Sequence, residues 1–209
     1  MLFLFCRFVY STSIDSIKAL WNSIMNQSIN YTRTAIALHW LIAIAIVATF
    51  GVGLFMHDLP LTPFKLKIYS WHKWAGVTIF LLVLFRLGWR FTHLPPGPPA
   101  GMPAWQHTAA ELAHRFIYIL MIVIPLSGWL MSSAKGFQTV YFGVLPLPDL
   151  LAKNKELGES LAFVHKALSF TLAGLVLGHA GAAIKHHFID RDDVLVRMLP
   201  FIKNFRKLS

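Results

Sequence analysis

Four stretches of this chain are apolar, almost free of charge and long enough to cross a bilayer. The first covers residues 35–55, and the second runs from about 68 to 89 with charges only near its ends. The third lies between Arg115 and Lys135, and the fourth is uncharged over residues 167–184. A spanning helix needs about 20 mostly apolar residues. The sequence therefore predicts an all-α membrane protein with four transmembrane helices in an antiparallel bundle.

Composition agrees with a chain in a lipid bilayer and argues against other classes. Charged residues make up 13% of the chain and hydrophobic residues 56%, whereas soluble domains carry about 25% charged residues. The single cysteine, Cys6, excludes an internal disulfide and a C-x-x-C-H haem-attachment motif. The net charge of +10 does not indicate nucleic-acid binding, because the basic residues lie between apolar runs rather than on one basic face.

The positions of Lys and Arg predict the orientation in the membrane. With four spans, both termini lie on one side, which together with the loop between spans two and three holds 12 of the 19 basic residues, including all eight arginines. The other side carries seven lysines and no arginine, against four acidic residues. The positive-inside rule therefore predicts that both termini are cytoplasmic. The outer side keeps a net charge of +3, and its main loop, residues 135–159, is expected to be an ordered or amphipathic exterior segment.

Four histidines recur at matched depths in the predicted spans. His39 lies near the cytoplasmic end of span one and His72 near the outer end of span two. His165 opens span four at the outer side, and His179 follows 14 residues later. Fourteen residues are nearly four helical turns, a rise of about 21 Å, so His165 and His179 share one face at opposite depths. The spacing pairs His72 with His165 on the outer side and His39 with His179 on the inner side.

Two stacked histidine pairs match the axial ligands that two non-covalent haems require. A single intramembrane histidine has a simpler explanation in packing or hydrogen bonding, and His114 is an alternative to His39 or His179 as a ligand. Zinc is the weaker metal, because no two of the four histidines lie one turn apart on one helix. Small residues near the ligands would let a flat macrocycle approach the backbone, or would simply allow close helix packing: Gly76, Ala173, Gly174, Gly178, Gly181 and Ala182.

Two further residues share the faces of the predicted ligands. Arg86 is 14 residues after His72, and a buried arginine needs a counter-ion such as a haem propionate or a quinone oxygen. His186 is seven residues beyond His179, where it would hydrogen-bond a ligand beside the inner haem. The alternatives are that Arg86 extends to the interface and that His186 is a solvated interfacial residue. We treat both as candidate quinone-site residues.

Several segments together resemble the bacterial cytochrome b561 family. They are Tyr-Thr-Arg-Thr-Ala-Ile-Ala-Leu-His-Trp at 31–40, the spans at 72–90 and 114–125, and the stretch 165–200 that ends in Asp-Arg-Asp-Asp-Val-Leu-Val-Arg-Met-Leu-Pro. The resemblance implies a four-helix inner-membrane cytochrome that holds two b-type haems. In the best-understood branch of the family, superoxide delivers an electron at the outer surface and ubiquinone accepts electrons near the cytoplasmic side.

The resemblance also divides the chain. Residues 31–200 form the predicted cytochrome domain, and residues 201–209 a basic cytoplasmic tail. Residues 1–30 are an N-terminal extension, in which Met25 is the favoured start of translation because the first 24 residues depart from the family pattern.

Two functions of different classes fit this chain. The first is a superoxide:ubiquinone oxidoreductase, whose positive outer face would attract the superoxide anion. The second is a non-catalytic electron-carrier or anchor subunit of a hydrogenase or dehydrogenase, which would take electrons from a protein donor at the outer loop. The shortness of the chain favours the first. A transporter is more distant, because no inverted repeat is evident.

Overall fold

The computed structural model describes residues 30–99 and 101–202, and four long helices account for most of them. They are α1 (Arg33–His57), α2 (Pro63–Thr92), α3 (Ala104–Ala134) and α4 (Lys155–Lys185). All four are long and apolar enough to cross a membrane. The predicted multi-pass helical fold is therefore confirmed. The predictions for residues 1–24, for Met25 and for most of the C-terminal tail lie outside the described residues.

Side-chain caps fix where three of the helices begin. Thr32 and Thr62 accept hydrogen bonds through Oγ1 from the backbone N–H three residues later, and Pro63 occupies the first turn of α2. Asn154 Oδ1 accepts in the same way from Leu157 N at 3.0 Å. Such caps satisfy N–H groups that have no partner within the helix. They place the start of α4 at Lys155, so the exterior segment predicted to reach residue 159 ends at Asn154 instead.

Among the four long helices, α4 packs closely along α3 only. All four helices contribute to a buried apolar cluster of Ile42, Ile79, Val83, Leu120, Met121 and Leu172. Helix α1 packs along α2, α2 along α3, and α3 along α4, whereas the backbone of α4 makes at most sparse contact with α1 or α2. The space between α4 and the α1–α2 pair is therefore spanned by side chains rather than by close backbone packing.

The segment between α3 and α4 contains a short hairpin that the sequence patterns did not predict. Strand β1 (Val140–Tyr141) pairs antiparallel with β2 (Leu145–Pro146). The turn between them has positive φ at Phe142 (51°) and Gly143 (73°). Trp74 on α2 and Trp129 on α3 donate hydrogen bonds to the backbone carbonyls of Val140 and Pro148. The segment is thus ordered and held against the bundle.

At the other end of the bundle, the chain after α4 folds back over the helix termini. Residues His186–Asp190 form a π-helical turn that ends at Arg191 in a left-handed conformation, and α5 (Val194–Met198) follows. Trp40 Nε1 donates to the Met198 carbonyl at 2.8 Å, and Arg197 donates to the Gly97 carbonyl at 2.6 Å. These bonds join α5 to α1 and to the connection between α2 and α3.

Candidate functional site

His72 and His165 meet across the space between α2 and α4. Their ring centroids are 6.3 Å apart and the ring planes are inclined by 78°. Both residues lie about ten positions from the ends of their helices that border the 135–154 loop. The pairing predicted from their depths is reproduced by the fold.

The hydrogen bonds around His165 determine which ring nitrogen carries the proton. The Ser127 hydroxyl donates to the Ile124 carbonyl at 2.7 Å, so its oxygen is left to accept. His165 Nδ1 lies 2.9 Å from Ser127 Oγ and 3.1 Å from the same carbonyl, and both of these are acceptors. Nδ1 is therefore protonated, and Nε2 keeps its lone pair. A metal-bound histidine typically donates its other N–H to a backbone carbonyl in this way.

The His72 ring is enclosed without a complete set of polar contacts. Its Nδ1 is buried and has no hydrogen-bond partner, although the Thr49 backbone approaches the ring. Buried polar nitrogens are normally paired. His72 Nδ1 lies on the side of α1, 3.7 Å from the position that a Cβ at Gly53 would take.

Two glycines that the sequence analysis did not single out press against the two rings of this pair. A Cβ at Gly53 would lie 3.2 Å from His72 Cε1, and one at Gly128 would lie 3.1 Å from His165 Cε1. By contrast, a Cβ at any of four glycines expected to border the ligands would meet no atom within 4 Å: Gly76, Gly174, Gly178 and Gly181. The glycines that approach the rings therefore lie on α1 and α3. The spacing of residues along α2 and α4 does not indicate them.

Three histidines meet at the opposite end of the bundle. The His39 and His179 centroids are 6.2 Å apart, with planes inclined by 65°. His114 on α3 also reaches His179, at 5.1 Å. The predicted His39–His179 pair is therefore present, and His114, the alternative ligand, lies beside it.

These separations can be compared with the geometry of a shared metal ion. An imidazole nitrogen lies about 2 Å from a bound first-row metal ion and the ring centre about 1 Å further, so rings on opposite sides of one ion have centres about 6 Å apart. The His72–His165 and His39–His179 distances match this value. The His114–His179 distance of 5.1 Å is shorter than it. The residues present fit a flat, metal-centred cofactor at each end of α4.

Arg86 lies near the inner cluster but points to protein acceptors. Its guanidinium donates to the Ala35 carbonyl at 2.6 Å and to the Tyr118 hydroxyl at 3.0 Å. Arg86, Trp89, Tyr31 and Tyr118 line a small cleft there. Burial raises the pKa of Tyr31 despite the nearby arginines, so its hydroxyl stays protonated at neutral pH. Through these bonds Arg86 links α1, α2 and α3 close to His39.

His186 is oriented by a carboxylate that the sequence analysis left without a role. Its Nδ1 lies 2.6 Å from Asp192 Oδ2 and 3.2 Å from Asp190 Oδ2, and 13% of its side chain is exposed. The other Asp192 oxygen accepts from the Val194 N–H at 3.0 Å. The π-helical turn folds Asp192 back toward His186. Asp192 holds the Nδ1 proton, which leaves Nε2 to face other groups.

Comparison with known proteins identifies the family. The family model for prokaryotic cytochrome b561 matches residues 30–201. The chain is 33% identical to cytochrome b561 homolog 2 of Escherichia coli K12 over 85% of this chain and 95% of that protein. It is 29% identical to cytochrome b561 homolog 1 of the same organism, over 81% of this chain and 97% of the relative. A probable superoxide oxidase of Yersinia pestis is 27% identical over 81% of this chain and 96% of its own length. This chain therefore belongs to the prokaryotic cytochrome b561 family, whose members transfer electrons across membranes and bind b-type haem.

Proposed function

We propose that this protein holds two b-type haems and carries electrons through them, from superoxide on the side of the 135–154 loop to ubiquinone on the side of α5. The observation that supports this most is the pair of histidine couples at opposite ends of α4, with centroid separations of 6.3 and 6.2 Å. Each matches the separation of two imidazoles on one metal ion. His72 and His165 are the proposed ligands of one haem, and His39 and His179 those of the other.

A haem with two histidine ligands supplies a one-electron carrier with no open position for a substrate. The protein's own part is to hold the four ligands in place. The Ile124 carbonyl and Ser127 hold the proton on Nδ1 of His165, which directs Nε2 to the metal. Because His165 and His179 are 14 residues apart, their backbones are about 21 Å apart along α4. This separation covers most of the bilayer.

His186 and Arg86 are the proposed quinone-site residues. His186 can donate a hydrogen bond to a quinone oxygen and act as a general acid. The Asp192 carboxylate accepts from Nδ1, so it fixes the orientation of the ring and leaves Nε2 for the quinone. Arg86 adds a fixed positive charge near His39, which would stabilise negative charge on the oxygen of a quinone bound nearby.

The outer surface carries the features proposed to attract superoxide. Seven lysines and four acidic residues give that side a net charge of +3, which steers small anions toward it. Superoxide loses one electron and leaves as O2, so two superoxide anions and two protons are needed to convert one quinone to quinol. The relative from Yersinia pestis, described as a probable superoxide oxidase, supports this choice of donor.

Superoxide-driven quinone reduction in purified protein tests the function. Protein in lipid nanodiscs should reduce ubiquinone-1 when superoxide is generated enzymatically, and superoxide dismutase should abolish the reaction. A carrier subunit would instead copurify with a large partner and show no superoxide-dependent quinol formation. That result would reject the oxidoreductase function and favour that of an electron-carrier subunit.

The orientation is tested by reporter fusions. A fusion after residue 202 should be active as a cytoplasmic fluorescent reporter, and a fusion at Lys153 should be active as an exported phosphatase, because all eight arginines lie on the side of the termini. Phosphatase activity at the C-terminus would reverse the donor and acceptor ends.

Gly128 provides a test of the outer pair that leaves the ligands intact. Gly128→Val places a branched side chain where even a Cβ lies 3.1 Å from His165 Cε1, so the ring must turn away. We expect the outer haem to be lost or to become partly high-spin. Gly88→Val is the matched control, since a Cβ there meets no atom within 4 Å and this glycine was not expected to border a ligand. Equal spectra for the two variants would show that Gly128 does not position His165.

A further inference from the structure

The loop hairpin, residues 138–148, exposes apolar side chains although it lies outside the four spanning helices. Phe142, Val144 and Leu145 are 60%, 82% and 57% exposed. No charged residue occurs between Lys135 and Asp149. A water-facing loop normally carries polar residues at such positions, so this surface requires a partner.

The attachment of the hairpin to α2 shows how deep it lies. The Tyr141 hydroxyl is 2.9 Å from Thr78 Oγ1, and Trp74 Nε1 donates to the Val140 carbonyl at 2.6 Å. Thr78 is 15 residues from the start of the 30-residue α2, about 22 Å along a helix of about 45 Å. The hydrocarbon core is about 30 Å thick, so Thr78 lies near its middle. Even allowing for the length of the tyrosine side chain, the strands lie below the membrane surface.

Lys73 gives an independent marker of that surface. Its ammonium donates to the Phe137 carbonyl at 2.8 Å, just before the hairpin begins. Lysines near the ends of spanning helices extend their charged groups toward the interface. Phe137 therefore lies near the membrane surface, and the chain runs deeper into the membrane from Phe137 to Tyr141.

The backbone of the hairpin is suited to an environment without water. The Gly143 and Val144 N–H groups donate to the carbonyls of Val140 and Tyr141, and the Leu147 N–H to that of Thr139. Pro146 and Pro148 have no N–H to leave unpaired. In hydrocarbon each unpaired backbone group is costly, and these bonds and the two prolines reduce the number of donors that would need water.

The turn residues also point to an apolar environment. Three residues, Phe142, Gly143 and Val144, connect the paired residues Tyr141 and Leu145, and the first two have positive φ. Here Phe142 occupies the first position at φ 51°, a conformation that is unfavourable for a bulky side chain. An aromatic ring at this place gives the hairpin an apolar tip.

We propose that the loop hairpin inserts into the adjacent leaflet of the bilayer and that lipid acyl chains cover Phe142, Val144 and Leu145. The surface is continuous with α2, whose Leu81 and Phe85 are also exposed apolar residues. The polar end of the loop, with Asp149 and Lys153, stays in water. A soluble electron donor would therefore meet that end and not the hairpin.

Spin-label accessibility in bilayers tests the insertion. In a Cys6→Ser background, labels are placed by Val144→Cys and Leu145→Cys, with Leu81→Cys as the lipid-facing control and Lys153→Cys as the water-facing control. Each protein is placed in nanodiscs of phosphatidylethanolamine and phosphatidylglycerol, and collisions with O2 and with a water-soluble nickel complex are measured. An unchanged haem absorption spectrum shows that each variant is folded.

We expect the ratio of O2 to nickel accessibility at positions 144 and 145 to match that at 81 and to exceed that at 153 at least about fivefold, as for groups about 5–10 Å below the headgroup boundary. A ratio equal to that at 153 would show an aqueous loop. Exclusion of both reagents would show that protein, either a second copy or a partner, covers the hairpin. Either result would overturn the proposal.

Discussion

His165→Ala is expected to halve the haem content, because it removes one axial ligand of the haem between α2 and α4. His72 alone would then face that haem, while His39 and His179 are untouched. The matching substitution in the other pair, His179→Ala, should remove the other haem or change its spin state, and it should leave His72 and His165 in place. Redox titrations of the purified variants, followed by absorption and low-temperature electron paramagnetic resonance, should each show one low-spin signal, where we expect two from the unmodified protein.

Controls separate ligation from loss of folding. His93→Ala changes an exposed histidine and His107→Ala a partly exposed one, and both variants should keep both signals. His114→Ala tests the alternative ligand, and it should keep both haems because its ring is only 5.1 Å from His179. If His114→Ala removes a haem and His39→Ala does not, the inner pair has been assigned to the wrong residue. Retention of both signals in His165→Ala would reject the outer pair.

His186→Ala is expected to slow electron delivery to quinone without changing either haem. General acid–base groups contribute about 10²–10⁴-fold to proton-transfer steps, so reoxidation of the reduced protein by ubiquinone-1 should slow at least about tenfold. Asp192→Asn should slow the same step, because it removes the carboxylate that accepts from Nδ1 and orients the His186 ring. Stopped-flow oxidation of dithionite-reduced protein, with excess dithionite removed, measures this rate directly.

A control measurement separates a role at the quinone site from a general defect. Reduction of the haems by superoxide should proceed at the wild-type rate in His186→Ala and Asp192→Asn, because neither residue is a proposed haem ligand. If quinone at saturation reoxidises the His186→Ala protein at the wild-type rate, His186 is an interfacial residue only.

The four spanning helices and the proximity of the histidines could be predicted because both depend on regular helical periodicity. Length and apolarity define the spans, and 14 residues bring His165 and His179 to one face whatever surrounds them. The same helical arithmetic placed His39 at the depth of His179 and His72 at the depth of His165, the residues that they meet in the structure. Helix starts were less predictable. The polar first turns of α2 and α4 protrude from the apolar run and are fixed by Thr62 and Asn154.

The features that were missed depend on contacts between distant residues. Gly53 and Gly128 are important because of the rings opposite them, which no spacing along one helix indicates. Asp192 reaches His186 because of a π-helical turn that a regular helical pattern would not include. The connection of the hairpin, Phe-Gly-Val, contains no Asn-Gly or Asp-Gly, the sequence signal by which hairpin turns are recognised.

The most direct test of the central claim is the ratio of haem to protein. Purified full-length protein in detergent, quantified by amino-acid analysis and by the pyridine haemochrome assay, should contain two non-covalent b-type haems per chain, both extractable with acidified acetone. That result follows from the two histidine pairs, at 6.3 and 6.2 Å. A ratio of one or zero in protein supplied with excess haem during expression would contradict the two-haem arrangement.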